Sequence, residues 1–232
     1  MNVTNRRNTG IRIAPDAVDD FDGAATPRGR AGNRRADEEH FPPNPPTCFW
    51  IGCSDYPAAS EIEGESASTI IFHDNIANLV PSTDINCLSA MHYAVESCCV
   101  KNIVICGHYG CRGVAAAVGN HKFDFLSNWL NPVVRAAAKY RFLLDGIADT
   151  SDRLDALCEL NVIEQVAAAS RTTAVRDAWE SGQSLAVRGL IYDRHNRLVE
   201  DFQVRVSEID SATEHEAAIA TLAKRWNIRR KI

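Results

Sequence analysis

Two pairs of residues have types and spacing that could do chemistry. Cys53 and Asp55 stand two apart in "CSDYP", directly after the apolar run "CFWIG". His108 and Cys111 stand three apart in "GHYGC", directly after "NIVIC". Thiolate, imidazole and thiolate are three good zinc ligands, and a carboxylate or water completes a tetrahedron. A His-x-x-Cys spacing lets both side chains converge where a strand turns into a helix. Gly107 and Gly110 are expected to let the backbone bend sharply there. Either half alone says little, since an isolated His-x-x-Cys is more often a loop than a ligand pair. Both halves at strand ends that a parallel sheet sets side by side predict a zinc site, one ion per chain. His73, His92, His121, His195 and His215 lack that setting and read as surface or satisfied core histidines.

The elements that must position these residues follow from periodicity. Residues 1–46, rich in Arg, Asp, Gly, Asn and Pro and ending in "FPPNPPT", show no sustained apolar period and read as a mobile arm. The domain then spans 47–232. "TCFWIG", "TIIFH", "NIVICG", "SLAVRGLIY" and "LVEDFQV" read as strands. Between the second and third, "STDINCLSAMHYAVESC" carries apolar residues at helical spacing, with Ser82 or Thr83 as cap. "RGVAAAVG", a longer helix broken or begun near Pro132, one or two helices ending at Gly182, and "SATEHEAAIATLAKRW" supply the others. Strands alternating with helices predict an α/β fold with a mainly parallel sheet covered on both faces. "YDRHNRLVED" reads as a hairpin, so the last strand is expected to be antiparallel.

Composition bounds the function classes. The 232 residues are 45% hydrophobic and 24% charged, ordinary for a globular domain. A net charge of −5 gives no global case for nucleic acid or an anionic membrane. No apolar run approaches the roughly 20 residues that span a bilayer. The amino end lacks the apolar stretch of a secretory signal, and its arginines are offset by aspartates. A cytoplasmic location is expected, with a mitochondrial one as the alternative. In a reducing compartment the 8 cysteines divide into ligands and packed thiols, and Cys87, Cys98, Cys106 and Cys158 sit in apolar periodic segments that make them core. "GHYGCRG" lacks the ending of a phosphate loop, and "DRHNR" and "KRWNIRRKI" read as solvated surface.

At the candidate site the chain resembles the β-class carbonic anhydrases. Their pattern is Cys-x-Asp-x-Arg after the first strand and Gly-His-x-x-Cys-Gly-Gly after a later one. "WIGCSD", "HDNIANLV", "HYAVESCCVKNIVICGHYGC", "NWL", "LCELNVIEQV" and "VRDAWESGQSLAV" are similar to family segments in family order, across residues 47–205. The resemblance implies a parallel four-stranded sheet plus an antiparallel edge strand, and a homodimer or an assembly of dimers. It implies zinc on Cys53, His108 and Cys111. Asp55 then matches the carboxylate that either faces the zinc-bound water or ligates zinc itself. Tyr93 is similar to a tyrosine that reaches the substrate pocket across the dimer interface. The implied reaction is reversible hydration of carbon dioxide to bicarbonate and a proton.

The sequence departs from that pattern where the family keeps its aspartate off the metal. The arginine two positions after the aspartate is replaced by Tyr56 or Pro57, and no Lys or Arg occurs between Cys53 and Lys101. The family's His-Arg-Asn reads His73-Asp74-Asn75, and its Gly-Gly reads Arg112-Gly113. Three arrangements follow. Asp55 closes the zinc site as fourth ligand; or Arg112 replaces the missing clamp through a bidentate contact; or Arg112 offsets Asp74 or faces solvent. Slow or pH-gated hydration is the expectation. Hydrolysis of carbonyl sulfide or carbon disulfide on the same site, and a catalytically impaired zinc-stabilised binding or regulatory homologue, are the competing functions.

Overall fold

A computed structural model describes residues 12–13, 45–56, 69–119, 124–196, 198–208 and 212–226. The short strand β1 (Arg12–Ile13) is followed by β2 (Cys48–Cys53) and β3 (Ile70–Asn75). Next come helix α1 (Ile85–His92), a π turn (Tyr93–Ser97), β4 (Asn102–His108) and α2 (Arg112–Val118). Helices α3 (Asp124–Trp129), α4 (Asn131–Lys139), α5 (Arg141–Leu144), α6 (Thr150–Ser170) and α7 (Thr173–Glu180) lead to the hairpin of β5 (Ala186–Asp193) and β6 (Leu198–Val206). Helix α8 (Ala212–Arg225) closes the described chain. None of the described helices is long and apolar enough to cross a membrane.

The sheet runs in the order β1-β6-β5-β4-β2-β3. Strands β3, β2, β4 and β5 are mutually parallel, and β6 pairs antiparallel with β5, as expected. Beyond β6 lies β1, with Arg12 opposite Leu198, so two residues of the predicted arm take part in the sheet. The central strands are apolar almost throughout because parallel strands bury both faces. All of β2 and β4 is buried, whereas edge strand β3 is only partly so.

The two faces are covered differently. Phe49, Ile51, Ile103, Ile105, Val187 and Ile191 meet the helices in the main core. Alternate positions Cys48, Trp50, Val104, Cys106, Leu190 and Tyr192 form a second, smaller cluster. Among the described residues the helices that enter a core enter the first. The predicted core cysteines Cys87, Cys98, Cys106 and Cys158 are all buried.

Helix α6 is the axis of the main core. Asp149 caps its start by accepting from the Ser151 and Asp152 backbone N–H groups. Most of its circumference is buried, including the polar residues Glu159, Asn161 and Gln165. Pro132 sits in the first turn of α4, where a missing N–H costs nothing, so it starts a helix rather than kinking one. The cap of α1 is Asp84, which accepts from Asn86 N at 3.1 Å, and not the predicted Ser82 or Thr83. A short carboxylate two residues before the acceptor's partner fits the N-terminal donors better than the hydroxyls further upstream.

Candidate metal centre

Parallel topology brings the carboxyl ends of β2 and β4 together, since Ile51 pairs with Ile105 just below both ends. Cys53 ends β2. A tight turn follows, closed by Tyr56 N donating to Cys53 O at 3.0 Å, and it carries Asp55. His108 ends β4, and Cys111 caps α2. The turn between them needs Gly110 at φ +66°, a left-handed conformation natural to glycine. Asp155 of α6 fixes that turn by accepting from Gly110 N at 2.9 Å. Gly107 does different work from the bend predicted for it. It lies within β4, and a Cβ there would come within 2.6 Å of Val162 Cγ2, so its smallness lets α6 lie against the strand.

Cys53, His108 and Cys111 are all buried, and their ligand atoms lie within 4.8 Å of one another. The two sulfurs are 3.7 Å apart. With Zn–S bonds near 2.3 Å, tetrahedral geometry sets two sulfurs roughly 3.8 Å apart. His108 Nδ1 bonds the Tyr109 carbonyl at 3.1 Å, which fixes its proton there and leaves Nε2 bare. That Nε2 is shielded from water and has no hydrogen-bond partner, as a ligand awaiting a metal requires. The thiols respond to each other: the Cys111 contact, against burial and with help from His108, draws the Cys53 thiol far below its ordinary pKa. Cys111, left beside that thiolate and buried, is pushed up. Ionising both needs a cation between them, so the donor set fits zinc.

Backbone strain supports this corner. Ala77 and Asn78 both have positive φ, 66° and 47°, a conformation that costs the alanine roughly 1–2 kcal/mol and that asparagine adopts more readily. It aims Ala77 N at Cys53 Sγ, 3.2 Å away. The strained loop is held by Trp129 Nε1 on Ile76 O, Asn161 Nδ2 on Ala77 O and Gln165 Oε1, which accepts from Val80 N. Buried polar residues of α6 therefore position a donor on a ligand sulfur. Sequence reasoning had "HDNIANLV" and "LCELNVIEQV" in hand but no role for Ala77, Asn161 or Gln165.

Asp55 stands at the open side. Its Oδ2 accepts from Arg112 N at 2.9 Å, and its Oδ1 takes both Arg112 Nε and Nη2, each at 2.5 Å. Asp55 is 7% exposed and Arg112 84% exposed, so the guanidinium reaches back from solvent over the carboxylate. The second of the three arrangements supposes a contact between these two residues; here the side chain serves one oxygen and the backbone the other. Arg112 is not simply solvent-facing. Its place at the first position of α2 explains why, since the helix start directs its N–H to the same carboxylate. Burial opposes ionisation of Asp55, but the Arg112 backbone and guanidinium outweigh it and hold the carboxyl below its usual range. Asp55 Oδ2 lies 3.8 Å from His108 Nε2.

The remaining residues fall as follows. Tyr56, one of the two residues that stand where the family has its arginine, stacks on Tyr192 with ring centres 5.1 Å apart and lies 6.0 Å from the His108 ring. Arg194 sits over Tyr56 at 5.0 Å. This aromatic wall depends on the β4–β5 register that pairs His108 with Tyr192. A cavity of about 450 Å³ opens beside it, lined by Tyr56, Tyr109, Asp155, Tyr192, Arg194 and His195 among others. Tyr93 is 51% exposed on the π turn, beside Cys98. Pro57 and His121 lie outside the described residues.

A family model described as carbonic anhydrase matches residues 48–199. The chain belongs to the β-class carbonic anhydrase family. It is 35% identical over 179 residues to a carbonic anhydrase of Emericella nidulans, covering 75% of this chain and 78% of that one. Among solved structures, a Coccomyxa β-carbonic anhydrase in complex with acetazolamide matches with a TM-score of 0.65 at 29% identity, covering 72% of this chain and 76% of that one. A structure from Sordaria macrospora, one of two β-carbonic anhydrases described as tetrameric, matches with a TM-score of 0.62 at 30% identity, covering 70% and 83%. The family is one of lyases, the carbonate dehydratases, and its fold places the Cys53–His108–Cys111 set at the carboxyl edge of the sheet.

Proposed function

We propose that this chain hydrates carbon dioxide reversibly, with zinc held by Cys53, His108 and Cys111 and with Asp55 kept off the metal by Arg112. The observation that carries the reading is the occupancy of both Asp55 oxygens by Arg112. A carboxylate so engaged leaves the fourth coordination position open, the mark of catalytic rather than structural zinc. Zinc in such a site supplies Lewis acidity that brings the pKa of water from 15.7 toward about 7.

The residues of the chain supply orientation and charge. His108 enters through Nε2 because the Tyr109 carbonyl holds the proton at Nδ1. Ala77 N donates to Cys53 Sγ, withdrawing charge from a thiolate and offsetting the weak acidity of a two-sulfur site. Asp55 Oδ2, 3.8 Å from His108 Nε2, would accept a hydrogen bond from the reacting water and orient it toward carbon dioxide once zinc is bound. Arg112 keeps that acceptor ionised and in place. The missing arginine of the Cys-x-Asp-x-Arg pattern is thus replaced from the other side of the site, which supports an active enzyme over an impaired homologue. We infer further that the exposed Tyr93 serves the pocket of a second copy, in an assembly of dimers like the tetramers named among its relatives.

Stopped-flow hydration of carbon dioxide by zinc-loaded protein tests this. Turnover that disappears in Cys53→Ser and His108→Ala together with the site's zinc is expected. No turnover by the zinc-replete chain, or release of hydrogen sulfide from carbonyl sulfide in its place, would overturn it.

A further inference from the structure

A second group of metal-binding side chains lies away from this centre. His73 on β3, Asp84 at the cap of α1 and Cys87 in its first turn bring one ligand atom each within 4.8 Å of one another. Asp84 and Cys87 share a helix face because they are three residues apart. His73 comes from the sheet edge, paired with Ile51, one pleat below the Cys53–Asn75 pair. It shares the face that carries Phe49, its ring 6.2 Å away. The site thus ties an edge strand to the start of the helix packed over it.

Three features point to a ligand. His73 Nε2 is shielded from water and has no hydrogen-bond partner, against the expectation of a satisfied histidine. Asp84 uses Oδ1 to cap α1, and a carboxylate carries a second oxygen for an ion. Cys87 is fully buried, yet its sulfur faces a carboxylate and an imidazole rather than apolar neighbours alone. His73 and Asp84 are partly exposed, which gives an ion a route from solvent.

We propose that His73, Asp84 and Cys87 form a second metal site, selective for a divalent ion of the zinc type. Imidazole, carboxylate and thiolate together suit zinc or cobalt and exclude the all-oxygen preference of magnesium and calcium. Three protein ligands leave one position to water. Coordination replaces the Cys87 S–H bond with a sulfur–metal bond, and the proton leaves to solvent. The proposal is independent of the carbon dioxide chemistry, because none of its three residues belongs to the first site.

The test is the metal content of the full-length protein, saturated with zinc and freed of excess ion, compared with Cys87→Ser and His73→Gln. The intact protein should carry one zinc per chain more than either variant. Loaded with cobalt, it should show thiolate-to-cobalt charge transfer that exceeds that of Cys87→Ser. Hydration of carbon dioxide and the circular dichroism spectrum should be unchanged in both variants. Equal zinc in all three proteins, or an extra zinc that survives both substitutions, would overturn the proposal. If Cys87→Ser fails to fold, His73→Gln decides by the same count.

Discussion

Replacing Arg112 with alanine removes two contacts of 2.5 Å from Asp55 Oδ1 and leaves the backbone N–H on Oδ2 at 2.9 Å. Loss of an outer partner of a metal site typically costs about 10–100-fold in activity or metal affinity. One carboxylate oxygen keeps its donor, and the guanidinium is 84% exposed and therefore screened by solvent. The effect belongs at the lower end: about tenfold lower kcat/KM for hydration. Zinc should not be lost, because the ligands are untouched and a released Asp55 can only add to them. Arg112→Lys should fall between the two, since an ammonium keeps the charge without the planar fork. Stopped-flow hydration and zinc content, measured on the same three preparations, check this. Arg112→Ala running at the rate of the parent protein would refute the clamp, as would a loss of zinc in proportion to the loss of rate.

Two further predictions concern the frame of the site. Gly107→Ala would drive a Cβ to 2.6 Å from Val162 Cγ2 and 3.0 Å from Ile191 Cδ1, so urea unfolding should show a destabilisation of about 1–3 kcal/mol. Restoring it with Gly107→Ala/Val162→Ala should recover part of that loss. Glu164 is pushed up by burial, but hydrogen bonds from His215, Lys139 and Tyr140 outweigh this and bring it to about 2. Its folded pKa is depressed, so its contribution is present above the unfolded value of 4.5 and disappears as pH falls toward about 2. Lys139 is 52% exposed, and screening reduces the contribution to roughly 1–2 kcal/mol. Between about pH 6 and pH 3 the parent protein should lose more stability in urea than Glu164→Gln, and parallel losses would contradict this.

Much of this arrangement was legible in the residues themselves. Apolar runs bounded by turn residues located β2 to β6, and the hairpin around "YDRHNRLVED" gave the antiparallel pair. Cys53, His108 and Cys111 were legible because a strand end and a His-x-x-Cys turn are local patterns. The position of Arg112 relative to Asp55 was not, since 57 residues separate them and only the β2–β4 pairing brings them together. The left-handed backbone of Ala77 was hidden for another reason: Asn78 tolerates positive φ, but nothing in "NIAN" marks the alanine for it, and the conformation is held by Asn161, Gln165 and Trp129. His73 read as a surface or satisfied core histidine because its neighbours Asp84 and Cys87 become visible only when α1 lies on β3.

The central claim is that zinc has three protein ligands and Asp55 is held off it. A crystal structure of the zinc-loaded protein at neutral pH tests that most directly. Zinc bonded to Cys53 Sγ, His108 Nε2 and Cys111 Sγ, with both Asp55 oxygens still on Arg112, is the predicted result. An Asp55 oxygen on the zinc, with Arg112 turned out to solvent, would contradict it.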